Sequence, residues 1–432
     1  MRNKEEKTML EVIEPDYMAA FSCIGLLCPD TCCRGWDIVI DEATCERYEK
    51  SHNAEFKEMV SRAIVHQKEE TNEGEKDIAC IRMGKGKRCL FLCNDGLCMI
   101  QRKTEEKNLS ETCRTYPRVI YIWNEEYAER SLCVSCPAVA KLILGRQEPL
   151  RFVTKKIEAS ELDGLRITDK DQRLETDCLP LRRFLIQVLQ DRKLPLERRL
   201  NLANEFFWQA GGLSGHHAEK KFHNLVDIYQ QKLEIDETIR PQDVSVVIDN
   251  TRIVQQLDGM RQLFFQRLQN PELRPSFRQQ LEVVLSHWQF TDESSISQNS
   301  VKQYIEDKEF YQLFFLPKYS GLLENYLVNE VFKSIFITED GAPFYVEWFR
   351  LIVQFVIVRA LLMSALTEDP EALVQEHIIE SIRQTSRIVG HDGLYLQQVM
   401  SQLSANQLEE AAVLQDFCNK LLGGTNLEIK EI

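Results

Sequence analysis

The chain has 432 residues, 44% of them apolar, and a net charge of −14 from 53 basic and 67 acidic side chains. That length divides into two or three packed regions with enough apolar material for real cores. The acidic balance excludes nucleic acid as the main partner, because phosphates demand a basic surface, and it favours a neutral or basic protein partner.

Met1 to Leu10 mixes charges and contains no apolar stretch that would serve as a signal-peptide core. Export is therefore not expected, and the expected location is the cytoplasm. Twelve of the fourteen cysteines lie at positions 23, 28, 32, 33, 45, 80, 89, 93, 98, 113, 133 and 136, with Cys178 and Cys418 outside that stretch. Without an export signal, thiolate ligation of a metal explains this crowding better than disulfides do. Gly74 to Gly96 also carries Gly84 and Gly86 and reads as loops shaped by their ligands. An irregular cysteine-rich metal module is thus predicted over residues 1–140, with bound metal supplying folding free energy that a small apolar core lacks.

Thiolates are soft donors that suit zinc or iron-sulfur clusters, either of which takes four in a tetrahedral set. Zinc ribbons pair two short knuckles across a regular spacer. Here only Cys133 and Cys136 form C-x2-C, Cys28 with Cys32 and Cys89 with Cys93 form C-x3-C, and Cys32 and Cys33 are adjacent. The irregularity favours an iron-sulfur cluster, 4Fe-4S by preference, with zinc as the alternative. The C-x3-C-x2-C of radical S-adenosylmethionine enzymes is absent, since Gly35 and Gly96 stand three residues after Cys32 and Cys93. A cluster is therefore expected to be structural or electron-carrying. Trp36 is a candidate apolar cap, and Arg34, Arg114 and Arg118 are candidates to offset thiolate charge. Cys45 and Cys80 are expected to pack as small hydrophobes.

From residue 141 to 432 the apolar residues recur three and four apart, as in Leu181, Phe184, Leu185, Val188 and Leu189. Further helical segments are predicted over Val247 to Leu268, Phe277 to Trp288, Tyr304 to Phe315, Leu322 to Phe336 and Val346 to Leu366. Breaks are expected at Gly145, Pro149, Pro241, Pro271, Pro275, Pro317 and Pro370, with a possible division near Gly211 to Gly215. The most apolar stretch, Phe344 to Leu366, is interrupted by Glu347, Arg350, Gln354 and Arg359. It is predicted to be a buried core helix, not a membrane span. The fold class expected is mainly α: the cysteine-rich region packed on a larger all-helical domain.

Four ordered segments, FSCIGLLCPDTCCRGWDI (Phe21 to Ile38), RCLFLCNDGLCMIQ (Arg88 to Gln101), TCRTYPRVI (Thr112 to Ile120) and ERSLCVSCPAVAKLIL (Glu129 to Leu144), resemble the bacterial flagellin lysine-N-methylases. The likeness continues through ENYLVNEVFKSIF (Glu324 to Phe336) and the apolar helix beyond it to His391, so it spans most of the chain. The resemblance implies a cytoplasmic enzyme that moves methyl groups from S-adenosylmethionine to flagellin lysines, with an iron-sulfur cluster in the cysteine-rich part. By position it implies Cys28, Cys32, Cys33, Cys89, Cys98, Cys113 and Cys136 as metal ligands. Cys23, Cys45, Cys80, Cys93 and Cys133 are not carried over.

Methyl transfer to lysine needs a neutral amine, although lysine has an unperturbed pKa of about 10.4, so the site must desolvate the ammonium or accept its proton. Aromatic faces and carboxylates would steady the sulfonium donor. No D/E-x-G-x-G-x-G turn is present; GGLSG at Gly211 to Gly215, before His216 and His217, reads as a loop. The catalytic candidates are Tyr326 and Glu330, four apart on one helix face, with Asn329 beside them. Tyr345, Arg359 and His391 are further polar residues near apolar stretches. The alternatives are a non-catalytic metal-stabilised adaptor or an electron-transfer protein binding a secreted client.

Overall fold

The computed structural model describes residues 8–35, 38–71, 74–162, 165–166, 179–211, 218–238, 249–291, 296–334, 345–368, 374–404 and 410–423. Trp36, Cys178, most of the GGLSG loop with His216 and His217, Pro241 and Pro370 lie outside them. The chain divides into two compact units. One comprises Met1–Leu142 and Arg151–Thr168, with Glu339–Gly341; the other takes in Ile143–Leu150 and the remaining residues.

The amino-terminal unit is more regular than its composition suggests. Its elements are β1 (Met9–Pro15), β2 (Ile38–Ile40), α1 (Glu42–Glu49), α2 (Ala54–Ala63), β3 (Ile64–Thr71), β4 (Gly74–Ile81), β5 (Met83–Gly84), β6 (Arg88–Cys89), α3 (Met99–Lys103), α4 (Glu111–Thr115), β7 (Arg118–Ile122), β8 (Tyr127–Leu132), α5 (Pro137–Leu144), β9 (Phe152–Glu158) and β10 (Leu165–Arg166). These build a five-stranded sheet ordered β10-β7-β8-β1-β9, a three-stranded sheet ordered β2-β4-β3 and the two-stranded β5-β6. The expected loops of Gly74 to Gly96 are therefore largely strands and tight turns. Strand β1 reads as a half-buried strand, Leu10 and Val12 facing a small core with Ile122 and Ala128. Its buried Glu14 is held by Arg130 and by Lys155 at 2.7 Å, as a carboxylate taken out of water must be.

A second core gathers Ile38, Ile40, Tyr48, Phe56, Ile81, Phe91, Ile100 and Leu109, with Tyr48 edge-on to Phe56 at 5.3 Å. Short capped helices surround it. Asp41 accepts from Thr44 N at 2.8 Å to start α1, and Asn53 accepts from Phe56 N at 3.1 Å to start α2.

The second unit is helical, as the 3.6-residue periodicity predicts: α6 (Leu179–Leu189), α7 (Leu196–Gly211), α8 (Ala218–Thr238), α9 (Asn250–Leu268), α10 (Pro275–His287), α11 (Gln298–Phe310), α12 (Leu316–Ser334), α13 (Tyr345–Glu368), α14 (Gln375–Ile388), α15 (Gly393–Leu403) and α16 (Glu410–Leu422). Pro275 opens α10, where its missing donor costs nothing. Pro317 does not break the chain as expected. A π-helical turn over Tyr311–Phe315, closed by Leu316 N donating to Tyr311 O, carries α11 directly into α12. Widening the ladder just before Pro317 shifts the bonding pattern, and the missing N–H falls in the first turn of α12, where it is tolerated.

Helices α12 and α13 form the centre of this unit. Tyr345–Leu366 is long and apolar enough to cross a membrane by length and composition, yet 89% of its apolar window is buried inside the protein. A helix apolar over most of its circumference belongs in a core, and most of this one is covered by protein.

Candidate functional site

The predicted metal cysteines separate into groups. Cys89 is buried on β6, and its N–H donates to Cys33 O at 2.9 Å, so the two backbones run side by side. Cys98 caps α3 and is bridged to Leu92, while Gly96 at φ +85° lets the Cys93 to Cys98 turn close with Gly96 N donating to Cys93 O. Cys113 sits in the first turn of α4 because Ser110 caps that helix, accepting from Cys113 N at 3.3 Å. Cys33, Cys98 and Cys113 all pack against the core that contains Cys89.

Burial pushes the Cys89 thiol up to about 12, with Cys33, Cys113 and Cys98 adding to the rise. It pushes Cys113 up to about 11, where Cys33 and Cys98 add, and it raises Cys98 with Cys33 and Cys93 adding. Cys33 contributes to all three shifts. Cys136, at the start of α5, is raised by burial with Cys28 and Cys23 adding, which marks a separate neighbourhood. Cys32 is exposed. Among the described residues, no group of three or more His, Cys, Asp or Glu side chains is arranged to hold a metal ion. Cys33, Cys89, Cys98 and Cys113 share one core, and thiolates are the donor type that a thiophilic centre takes.

Cys45 packs against the same core, and Cys80 is buried on β4. Arg118 stacks over Phe21 at 5.0 Å. The arginine that braces the cysteine turns is one sequence reasoning passed over: Arg88 donates to Leu92 O at 2.9 Å and Cys93 O at 2.6 Å.

The helical unit encloses a cavity of about 170 Å3 lined by Glu330 and Lys333 of α12, Glu347, Arg350, Leu351 and Gln354 of α13, and Ser386, Gly390 and His391 at the end of α14. Lys333 Nζ lies 2.6 Å from Glu330 Oε2, and Arg350 Nη1 lies 2.9 Å from Glu347 Oε1. Burial raises the Glu347 carboxyl; Arg350 and Lys333 oppose the shift and Glu330 adds to it. His391 lines the cavity although much of the residue is open to solvent. The protein packed around it and the charges of Lys333, Arg387 and Arg350 lower its pKa, an effect that its exposed surface makes smaller than full burial would.

Of the two catalytic candidates, Glu330 faces this cavity. Tyr326 lies behind it, fully buried, its hydroxyl donating to Gln354 Oε1 at 3.2 Å. Burial, reinforced by Glu330, raises the Tyr326 pKa far above its ordinary value, so the phenol stays protonated and orients Gln354. Asn329 Nδ2 donates to Glu330 Oε1 at 3.4 Å. Tyr345 reaches Glu410 at 3.4 Å, and Arg359 donates to Leu421 O at 2.8 Å with Glu197 at 3.8 Å. The cavity residues that sequence reasoning missed as a site are Lys333, Glu347, Arg350, Gln354, Ser386 and Gly390. For three of them the signal lay in the interruptions of the apolar helix: Glu347, Arg350 and Gln354 recur three and four apart and so form one polar stripe.

The profile of the FliB lysine N-methylase C-terminal domain matches residues 182–414, more than half of the chain and all of the cavity-lining residues. The flagellar biosynthetic protein FliU of Salmonella muenchen is 31% identical over 147 residues, 34% of this chain and 85% of FliU. Lysine-N-methylases of Salmonella typhimurium and Salmonella choleraesuis are each 30% identical over 173 residues, 40% of this chain. The match spans 42% of the length of those two methylases. No solved structure matches. On the family profile and the FliU match together, the chain belongs to the FliB lysine N-methylase C-terminal domain family.

Proposed function

We propose that the protein is an S-adenosylmethionine-dependent protein-lysine N-methyltransferase acting on flagellin lysines in the cytoplasm, with a cysteine-ligated cluster that is mainly structural. The observation that carries this reading is that the family match over 182–414 contains the helices enclosing the charged cavity, α12, α13 and α14. The relatives' names, a flagellar biosynthetic protein and lysine-N-methylases, support a flagellar lysine as the acceptor.

In the transfer, the amine lone pair of the substrate lysine forms an N–C bond as the S–C bond of the sulfonium breaks, and S-adenosylhomocysteine leaves. The ammonium proton must first pass to a carboxylate, an imidazole or water. Such a reaction asks for positioning more than for covalent chemistry. Glu330 is a cavity carboxylate that already accepts from one ammonium, that of Lys333. Tyr326 is a positioning residue acting through Gln354.

In the amino-terminal unit we assign Cys33, Cys89, Cys98 and Cys113 as the residues that would hold a 4Fe-4S cluster, with zinc as the alternative occupant. Bound there, the cluster would supply cross-links between β6, α3 and α4. Of the other cysteines implied by resemblance, Cys28 and Cys136 keep to their own neighbourhood.

Incubation of purified flagellin with labelled S-adenosylmethionine and this protein, followed by mass spectrometry of flagellin lysines, tests the reading. Methylated lysines are expected. Unlabelled flagellin with metal-replete, folded protein would favour a non-catalytic adaptor, and reversible bleaching of visible absorption on reduction without methyl transfer would favour electron transfer.

A further inference from the structure

We infer that the cavity between α12, α13 and the end of α14 binds the zwitterionic α-amino-acid group of a ligand, and that the ligand is the methyl donor through its methionyl end. The second half of this inference rests on the proposed function; the first rests on the cavity alone.

The walls carry both signs of charge on two helices. On α12 the Glu330 carboxylate meets Lys333, and on α13 the Glu347 carboxylate meets Arg350. Side-chain exposures are 6% for Glu330, 12% for Lys333, 14% for Glu347 and 30% for Arg350. Pairs so withdrawn from water have surrendered hydration, and packing against apolar side chains would be the cheaper use of a core. Here they border an open space instead. A ligand bearing one ammonium and one carboxylate repays both halves of the desolvation, the ammonium against Glu330 and Glu347, the carboxylate against Arg350 and Lys333.

A singly charged ligand does not match as well. A lysine ammonium alone would meet the carboxylates and leave the cations without a new partner, and His391 already senses the positive charge of Lys333, Arg387 and Arg350 together. A simple anion would fail in the opposite sense.

The cavity is also kept open by construction. A Cβ on Gly390 would stand 2.4 Å from Ser386 O and 2.9 Å from Gln354 Oε1, so only glycine lets the end of α14 approach this wall. Tyr326 occupies Gln354 Oε1, which leaves the amide nitrogen of that side chain as the donor available to a ligand. At about 170 Å3 the space is smaller than the roughly 300–1,000 Å3 that encloses a drug-sized molecule. It suits an amino-acid end, with the nucleoside outside it.

The test is calorimetric titration of the full chain with S-adenosylhomocysteine, L-methionine and methylthioadenosine, the last having the nucleoside and thioether without the amino-acid group. S-adenosylhomocysteine is expected to bind at least about ten-fold more tightly than methylthioadenosine. Glu347→Gln and Arg350→Gln should each weaken S-adenosylhomocysteine by about ten-fold or more without changing methylthioadenosine. Equal affinity for S-adenosylhomocysteine and methylthioadenosine in the unaltered protein would overturn the inference, and needs no variant to fold. Folded variants that bind S-adenosylhomocysteine as the unaltered protein does would overturn it as well. If flagellin is labelled but these affinities do not differ, the inference fails and the function stands. If the affinities differ as expected but flagellin stays unlabelled, the donor site stands and the acceptor assignment fails.

Discussion

Arg199 donates to Glu324 across 2.7 Å with neither residue open to solvent, and Arg192 closes the other side of the same carboxylate at 2.9 Å. The carboxylate is thus held between two guanidinium groups where α7 meets α12, and the pair exists only because both charges are satisfied together.

Removing Arg199 leaves the buried Glu324 with Arg192 as its remaining partner, so the cost should stay below about 3–5 kcal/mol, that of a fully orphaned buried charge. Arg199→Met should therefore lower the urea midpoint. Adding Glu324→Leu should restore most of the loss, since Arg192 is 41% exposed and can return to water. A double variant no more stable than Arg199→Met would contradict this account.

Asn325 braces the segment 143–150 from α12. Its side chain donates to Arg146 O at 3.1 Å and Glu148 O at 3.0 Å, and accepts from Leu150 N at 3.2 Å. Asn325→Leu keeps the volume but orphans these backbone groups, at about 1–3 kcal/mol for each that stays buried. Urea melts should show the loss, and trypsin should cut faster at Arg146.

A pH-dependent effect follows from Glu347, which faces Glu330, Lys333, Arg350 and His391 in the cavity. Its raised pKa means the folded protein binds that proton more tightly than the unfolded chain does. The contribution to stability grows as pH falls through the raised value toward the ordinary glutamate range and is lost as pH rises. Relative to Glu347→Gln, the unaltered protein should therefore lose ground on going from mildly acidic to neutral pH. Paired thermal melts across that window check the sign; a constant gap would remove the assigned shift.

For the thiols, Cys98→Ser and Cys113→Ser should lower soluble yield and bound iron after anaerobic purification more than they alter turnover per folded molecule, whereas Cys45→Ser should leave iron content unchanged. Metal analysis with a visible spectrum decides it. Iron retained in full by Cys113→Ser would remove that residue from the proposed set.

Helical periodicity in residues 179 onward was legible because each helix buries a stripe its own spacing reveals, as Leu181 to Leu189 do on α6. The strands of the amino-terminal unit were not. β1 pairs in parallel with β8 at Ile13 and Glu129, and antiparallel with β9 at Glu14 and Val153, partners more than a hundred residues away that leave no local mark. Pro317 misled for a related reason: its usual effect is local, and the π turn that cancels it is recognised only from the hydrogen-bond ladder.

The cysteine wealth, the helical carboxyl half and the shared face of Tyr326 and Glu330 were set by residue type and spacing, which are properties of the chain. Which thiols stand together, and that Glu330 of α12 meets the Glu347, Arg350 and Gln354 stripe of α13 around one cavity, depended on how the elements cross. Spacing along a helix determines which side chains share a face. Only packing determines what that face meets, and it is packing that withdraws those charges from water and so gives them a use.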